Sequence, residues 1–383
     1  MKKKIPLLRL NYSKNEKQFI SSGVQEILSS GFLTMSKRIE HFEELFAKFV
    51  KVKYAVAVNS GTSALEIPLR ALNVEGKSII IPTNTYMATP IAAIHAGAKV
   101  IFSDVLENDL SIDPKELEKK IMKDTVGVIP VHIGGFISPK WKEIKKICDL
   151  NNLFIIEDSA HAHGSQINNK FAGSLGLASA FSFYPTKILT TGEGGIITTN
   201  NRDLYKKFLI LREHGKSNPS YNIHSELGYN WRLPEISGLL GIQQVKKARS
   251  IVKERRKIAA LYDEILNGNP NLKLQKIPPT IKSSYYKYII FVKSKHRDKI
   301  KKKMYKKYGI SLPGEVYRSL CHSQPVFKKH SKHVIKKGSQ LFTNAKKVAS
   351  SQLCLPLYPG LKKKEIKYIA NSLIKVLKDF KQL

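Results

Sequence analysis

The sequence has 383 residues, of which 42% are hydrophobic, enough for one large domain and a smaller one that each bury an apolar core. Its cysteines, Cys148, Cys321 and Cys354, are far apart and lack metal-ligand spacing, so we predict neither a disulfide scaffold nor a metal site. This cysteine usage indicates a cytoplasmic protein. Residues 1–10 are too interrupted for a signal peptide, and no apolar run approaches the roughly 20 residues of a membrane span.

The formal net charge is +35, from 65 Lys and Arg against 30 Asp and Glu. Clustered basic residues bind phosphate backbones, so a basic nucleic-acid-binding protein is one hypothesis. The lysines are instead spread along the chain, and the dense run at 299–307 falls in a predicted surface helix without a nucleic-acid-reading motif. We therefore expect no nucleic-acid or membrane partner, whereas a positive field would still attract a small polyanionic substrate.

From residue 54 onwards, short apolar runs alternate with helical stretches. Strands are predicted at 54–58, 78–81, 99–102, 126–131 and 153–156, followed by two more at 178–183 and 195–199. Helices are predicted between them at 63–71, 86–95, 114–121 and 139–150. This alternation is typical of an α/β protein with a mainly parallel central sheet flanked by helices, whose ligands bind beyond the carboxyl ends of the strands.

The last third of the chain predicts a second unit. A long helical stretch runs from about 234 to 267, and the Pro- and Asn-rich segment 268–280 interrupts it. Strand-like and helical patterns follow at 285–292, 297–308 and 362–380. We predict a large domain at 1–250, including an N-terminal helix, and a smaller C-terminal α/β domain at 251–383.

The segment Asn59-Ser-Gly-Thr-Ser63 joins a predicted strand to a helix through small residues. The free N–H groups at such a helix start can hold a phosphate, although a plain capped helix fits the same residues. Ser182, after a later strand, is a candidate for a further hydroxyl contact to the same phosphate; a purely structural serine is the alternative.

Two further strand ends carry ionisable groups. Asp158 comes two residues after the predicted strand at 153–156, and Lys187 follows the strand at 178–183. A lysine amine condenses with an aldehyde cofactor as a Schiff base, and pyridoxal 5′-phosphate also needs a carboxylate at its ring nitrogen and a phosphate cup. We therefore predict a pyridoxal phosphate site, in which His161 is a candidate partner for the cofactor's ring oxygen. A helix N-cap for Asp158 and a structural role for His161 are the alternatives.

Three more segments offer candidate contacts. Tyr86 is placed to stack on a flat ring, with ordinary core packing as the alternative. Glu193 lies between glycines, which favours a carboxylate facing substrate or a surface turn. The polar-aromatic cluster Gly228-Tyr-Asn-Trp-Arg232 precedes Pro234 and has no role that its spacing alone assigns.

Taken in chain order, these motifs closely resemble those of the DegT/DnrJ/StrS sugar aminotransferases. These enzymes are a branch of the aspartate-aminotransferase-like, fold-type-I pyridoxal phosphate enzymes. The resemblance covers nearly the whole chain. The matching segments are Gly31-Phe-Leu-Thr34, Ser60-Gly-Thr-Ser-Ala-Leu65, Ala96-Gly-Ala98, Glu157-Asp158, Phe181-Ser-Phe-Tyr-Pro-Thr-Lys187, Gly192-Glu-Gly-Gly195, Gly228-Tyr-Asn230 and Leu355-Pro-Leu-Tyr-Pro-Gly360.

The resemblance implies a role for each matched residue. Lys187 would form the Schiff base, Asp158 would hold the ring nitrogen, and Tyr86 would stack on the ring. Phosphate contacts would come from Gly61, Thr62 and Ser182. Asn230 would reach the phosphate of a neighbouring subunit's cofactor, so a homodimer with a shared active site is expected. Two positions depart from the family pattern: His161 stands where glutamine is common, and Trp231 where tyrosine or phenylalanine is common.

The resemblance also implies a reaction. L-glutamate would leave its amino group on the cofactor, and a keto-sugar would accept it in the second half of a ping-pong cycle. The form Thr190-Thr-Gly-Glu-Gly-Gly195 is similar to family members, such as perosamine synthases, that aminate carbon four of nucleotide-linked 4-keto-6-deoxy sugars. Arg232 and Arg318 are candidates to meet the diphosphate. An aminocyclitol aminotransferase stays open as an alternative, whereas a dehydratase of this fold would carry histidine in place of Lys187.

Overall fold

The computed structural model describes residues 4–10, 12–218 and 220–380. Within them, a central sheet of seven strands has the order Tyr54–Val58, Gly195–Thr199, Ala178–Ser182, Phe154–Asp158, Thr125–Val128, Ser78–Pro82, Lys99–Ser103. The five strands from Ala178–Ser182 to Lys99–Ser103 pair in parallel, and Gly195–Thr199 is antiparallel to both of its neighbours. The predicted α/β fold with a mainly parallel sheet is confirmed.

Helices precede, flank and follow this sheet. The α-helices are Lys14–Ser30, Lys37–Val50, Gly61–Ala71, Ala88–His95, Pro114–Lys120, Trp141–Leu150, Arg202–Arg212, Glu235–Leu266, Arg297–Tyr308, Val326–Lys329, Thr343–Ser351 and Lys363–Lys378, and 3-10 turns occur at Ile133–Gly135, Ser294–His296, Cys321–Ser323 and Ser331–His333. Among the described residues, no helix is both long and apolar enough to cross a membrane.

Short strands form three smaller sheets in the described part of the chain. They are Gln166–Ile167 with Lys170–Phe171 and Ile281–Lys282, then Lys216–Asn218 with Ile223–His224, and Lys273–Leu274 with Tyr288–Phe291 and Gln352–Leu355. The last of these belongs to the C-terminal part of the chain.

Alternate residues of each central strand point to opposite faces, and both faces are covered by helices. Ile79 and Ile81 pack on one side with residues of helix Gly61–Ala71, and Ile80 packs on the other side with Trp141 of helix Trp141–Leu150. Burying the strands on both faces explains their continuous apolar sequence. It also leaves the carboxyl ends of the strands as the edge where polar side chains can gather.

The long helix Glu235–Leu266 passes through residue 250 without a break. Its first half, including Ile242, packs with helix Lys37–Val50, whereas its second half, including Tyr262, packs with strands Tyr288–Phe291 and Gln352–Leu355. The helix therefore contributes to two separate cores. The domain division at 250 stays a prediction, and the structure places that position in mid-helix.

Candidate active site

Polar side chains gather at the carboxyl edge of the central sheet and line a cavity of about 330 Å³. Eight residues predicted as site residues line it: Gly61, Thr62, Tyr86, Asp158, His161, Ser182, Lys187 and Glu193. They come from strand ends, from loops and from the first turn of helix Gly61–Ala71, which the sheet topology brings to one edge.

Lys187 supplies an amine inside this cavity. Its Nζ lies 5.1 Å from the centre of the Tyr286 ring. Burial lowers the pKa of Lys187 to about 8, with Lys287 acting in the same direction and Asp158 opposing it. A substantial fraction of the amine is therefore neutral near physiological pH, and a neutral amine is the form that attacks an aldehyde.

Asp158 is a buried carboxylate at the end of its strand. Its Oδ2 accepts a hydrogen bond from the Thr89 hydroxyl at 2.8 Å, and its Oδ1 accepts one from the Ala160 backbone N–H at 3.1 Å. Burial raises the pKa of Asp158, and these two donors, together with Lys187, oppose the rise. The two donors support the charged form of the carboxylate, and its remaining acceptor capacity is available to a cationic partner such as a pyridinium N–H.

Glu157, the other acid at this strand end, has a structural role. One of its carboxylate oxygens accepts hydrogen bonds from the Gly173 N–H at 3.0 Å and from His132 Nε2 at 2.9 Å. The other oxygen accepts from the Leu175 and Gly176 backbone N–H groups at 2.8 and 2.9 Å. Its hydrogen-bonding capacity is used within the protein, and Asp158 is the member of the pair that lines the cavity.

The start of helix Gly61–Ala71 forms a cradle beside Ser182. The Ser60 hydroxyl caps the helix by accepting from the Ser63 N–H at 3.1 Å, which leaves the first-turn N–H groups of Gly61 and Thr62 without a partner in the helix. A Cβ added at Gly61 would lie 2.7 Å from the Ser182 Cβ, so glycine is required for this approach. The backbone donors and the serine hydroxyl suit a phosphate group.

Tyr86 and His161 flank the cavity. Tyr86 lies just before helix Ala88–His95, and 62% of it is exposed, so its ring is available for stacking. His161 is buried against Tyr286, with 4.1 Å between ring centres, and its Nε2 is 3.1 Å from the Tyr317 hydroxyl oxygen. The contact of His161 with the cofactor's ring oxygen stays a prediction, and in the structure the Tyr317 hydroxyl is the group within hydrogen-bonding distance of Nε2.

Three predicted residues do not line the cavity of their own chain. Asn230 is exposed, and its backbone oxygen accepts from the Asn59 side chain at 3.5 Å. Arg232 forms an ion pair with Glu213 at 2.9 Å. The structure places Arg318 outside the cavity too, in a solvent-exposed pair with Asp298 at 3.0 Å.

Tyr286 and Tyr317 line the cavity but are absent from the predicted set, as is Thr89, which holds Asp158. Both tyrosines come from beyond residue 280, so the C-terminal part of the chain closes one side of the cavity. The run Ser283-Ser-Tyr-Tyr-Lys287 is a polar-aromatic signal that could have identified Tyr286. Neither Thr89 nor Tyr317 stands out in a comparable motif.

Fold and site together define a class of protein. A mainly parallel sheet carries a lysine, a buried aspartate and a phosphate cradle in one cavity, which is the arrangement of a pyridoxal phosphate enzyme. A model of the DegT/DnrJ/EryC1/StrS aminotransferase family matches residues 14–374. The chain belongs to this family and is an aminotransferase, as the sequence resemblance predicts.

Curated relatives match along almost the whole chain. A UDP-4-amino-4,6-dideoxy-N-acetyl-beta-L-altrosamine transaminase of Campylobacter jejuni is 32% identical over 385 residues, covering 97% of this chain and 99% of that protein. The GDP-perosamine synthase of Vibrio cholerae is 29% identical over 372 residues, covering 96% and 97% of the two chains.

Solved structures agree in fold. Helicobacter pylori PseC, an aminotransferase involved in the biosynthesis of pseudoaminic acid, superposes with a TM-score of 0.89 at 29% identity, covering 99% of this chain and 100% of PseC. NtdA of Bacillus subtilis, with bound pyridoxamine phosphate, has a TM-score of 0.87 at 26% identity and coverage of 98% and 85%. The cofactor prediction, pyridoxal 5′-phosphate, is confirmed, and the cavity described above fits it.

Proposed function

We propose that the protein transfers an amino group from L-glutamate to carbon four of a nucleotide-linked 4-keto-6-deoxy sugar, in the cytoplasm. The observation that carries the proposal is the convergence of Lys187, Asp158 and the Gly61 cradle in one cavity. The relatives named for UDP-linked and GDP-linked amino sugars support the substrate class. The Thr190-Thr-Gly-Glu-Gly-Gly195 form supports carbon four.

In this proposal each residue of the cavity has one task. Pyridoxal phosphate supplies the electron sink when bound. Asp158 holds the proton on the ring nitrogen, while Gly61, Thr62 and Ser182 bind the phosphate and Tyr86 stacks on the ring. Lys187 would anchor the cofactor and would act as the general acid and base that moves the proton. Its pKa of about 8 suits both directions of that transfer.

Substrate contacts are proposed for three side chains at or beyond the rim. Glu193 lines the cavity and is exposed, so its carboxylate is available to sugar hydroxyl groups. Arg318 directly follows Tyr317, and 60% of its side chain is exposed in the pair with Asp298. Exposed pairs of this kind contribute only about 0–1 kcal/mol, so a diphosphate can replace Asp298 at low cost. Arg232 is the third candidate.

The proposal includes a homodimer. Asn230 lies outside the cavity of its own chain, on an exposed segment, as expected for a residue that reaches a neighbouring subunit's cofactor. Exposed apolar side chains lie in the same segment, where Leu227 is 92% exposed and Tyr229 42% exposed. A partner subunit would cover them.

The test is a substrate panel with L-glutamate as donor. UDP-, GDP- and dTDP-linked 4-keto-6-deoxy sugars are compared with 3-keto isomers and with a keto-inositol, and amination is read from the product mass. We expect a 4-keto nucleotide sugar to be aminated. Amination of the keto-inositol alone would replace the proposal with the aminocyclitol alternative.

A further inference from the structure

Both ring nitrogens of His161 are engaged by the protein. Nδ1 accepts a hydrogen bond from the Gly134 backbone N–H at 3.4 Å, and Nε2 lies 3.1 Å from the Tyr317 hydroxyl oxygen. The residue is only 4% exposed. A 180° flip of the ring would put carbon atoms at both polar contacts, so these two partners define its orientation.

The turn that carries Gly134 is itself held in place. Gly134 and Gly135 have φ values of +65° and +88°, which favour glycine. The Gly135 carbonyl accepts from the Ser165 and Ser283 hydroxyls at 2.7 and 2.8 Å, and the Gly134 carbonyl accepts from the Lys287 N–H at 3.2 Å. The donor to Nδ1 is therefore part of a well-anchored turn.

These contacts settle the tautomer of His161. Burial lowers the pKa of His161 well below its usual value, and Lys187 and Lys287 act in the same direction, so the ring is neutral and carries one N–H. A backbone N–H can only donate, so Nδ1 is the acceptor and the proton lies on Nε2. Nε2–H therefore donates a hydrogen bond to the Tyr317 oxygen. The Tyr317 O–H must then donate its own hydrogen bond to an acceptor other than His161.

Tyr317 lines the cavity, so a ligand bound there can accept the hydrogen bond from the Tyr317 O–H. Burial raises the pKa of Tyr317 well above its usual value, which keeps the hydroxyl protonated. Pyridoxal phosphate has four polar groups around its ring. In the proposed function, Asp158 binds the ring nitrogen, Lys187 reacts with the aldehyde, and the Gly61 cradle binds the phosphate. The ring oxygen is the one group that has no partner among these residues.

We infer that the Tyr317 hydroxyl donates a hydrogen bond to the ring oxygen of bound pyridoxal phosphate, and that His161 is a positioning residue that holds Tyr317 in this donating orientation. The inference rests on the proposed function, because it concerns the bound cofactor. A glutamine amide in place of His161 would offer the same two contacts, one acceptor for the Gly134 N–H and one donor for Tyr317.

The test follows the absorbance of bound cofactor against pH. A donor to the ring oxygen stabilises its negative charge and so favours loss of the neighbouring proton on the lysine-linked nitrogen. Tyr317→Phe removes this donor and should raise the midpoint pH of the spectral change by about one to two units, the effect of one hydrogen bond to a charged group. His161→Gln should keep a midpoint close to wild type, and His161→Leu should raise it.

Other titratable groups face this pair and are common to all the variants. Tyr317 faces Asp158, Tyr86, Tyr286 and Cys321, and His161 faces Lys187, Lys287 and His163. Burial lowers the pKa of His163 to about 3 and raises that of Cys321 to about 12, so neither changes charge near neutral pH.

The double variant His161→Leu/Tyr317→Phe distinguishes positioning from an independent effect. If His161 acts through Tyr317, the double variant has the same midpoint as Tyr317→Phe, whereas additive shifts contradict the inference. An unchanged midpoint in a folded Tyr317→Phe protein, checked by thermal unfolding, also overturns it. A wild-type protein that shows no cofactor band would instead overturn the proposed function.

Discussion

Replacing Thr89 by valine should weaken cofactor binding without disturbing the fold. Thr89 does not line the cavity, and its hydroxyl donates to Asp158 at 2.8 Å. The Thr85 hydroxyl lies 2.7 Å from the Thr89 hydroxyl, so Thr85 donates to Thr89 while Thr89 donates to the carboxylate. Valine has a similar shape and no donor, so the change removes one hydrogen bond from a buried charge.

The magnitude follows from the contacts of Asp158. A hydrogen bond to a charged group contributes about 1.5–3 kcal/mol. Because Asp158 keeps the Ala160 N–H at 3.1 Å, we expect the lower half of this range, about 1.5–2 kcal/mol, or about 10- to 30-fold in cofactor Kd. Loss of the donor raises the pKa of Asp158 further. The carboxylate form exists above that pKa, so the weakening should grow as pH falls.

The assay is equilibrium binding of pyridoxal phosphate across neutral pH. Thr198→Val is the matched control, because Thr198 is buried in the central strand Gly195–Thr199, outside the cavity, and its hydroxyl donates to the Gly173 carbonyl at 2.7 Å. The control should lose stability but not cofactor affinity. Equal affinities for Thr89→Val and wild type at every pH would refute the role assigned to Asp158 and its donors.

Three further outcomes are expected. Gly61→Ala should reduce the affinity for pyridoxal phosphate, measured by dialysis, more than the affinity for pyridoxal, because the added Cβ would lie 2.7 Å from the Ser182 Cβ in the phosphate cradle. Equal losses for the two ligands would show that this cradle does not bind the phosphate. The rate at which the protein takes up pyridoxal phosphate should rise with pH and level off above about 8, as the Lys187 amine loses its proton, and a pH-independent rate would contradict this. Asn230→Ala and Lys187→Ala proteins should each be inactive but regain activity when mixed under subunit exchange, because a mixed dimer contains one intact site; no recovery in verified mixed dimers would contradict the shared site.

The strands could be predicted because burial on both faces leaves a clear apolar pattern. Strands Tyr54–Val58 and Gly195–Thr199 match their predicted bounds. Their pairing was not predictable, since Gly195–Thr199 inserts antiparallel between Tyr54–Val58 and Ala178–Ser182. An apolar run specifies a buried strand, but the order of strands depends on contacts between distant segments.

The same distinction applies to the site. Lys187, Asp158 and Gly61 could be predicted because each follows a recognisable strand at the sheet edge where ligands bind. Tyr317 could not, because it reaches the cavity from a part of the chain more than 90 residues beyond Lys187 and lies in no recognisable motif. Tyr286 is likewise far from the other site residues along the chain, and the polar-aromatic run 283–287 is the only local signal for it.

The position of Arg318 shows a further limit. A basic residue can be proposed for a diphosphate from charge alone, but its partner in the folded protein cannot be read in the same way. In the structure, Arg318 pairs with Asp298, which belongs to helix Arg297–Tyr308. Its role in substrate binding therefore stays a prediction.

The most direct test of the account is the visible absorption spectrum of the purified protein loaded with pyridoxal phosphate, with and without L-glutamate. Wild type should show the band of lysine-bound cofactor, and glutamate should convert it to the band of the aminated cofactor. Lys187→Ala should not form the lysine-bound species. If loaded wild type shows no such band, or Lys187→Ala shows the same band, then Lys187 is not the residue that carries the cofactor.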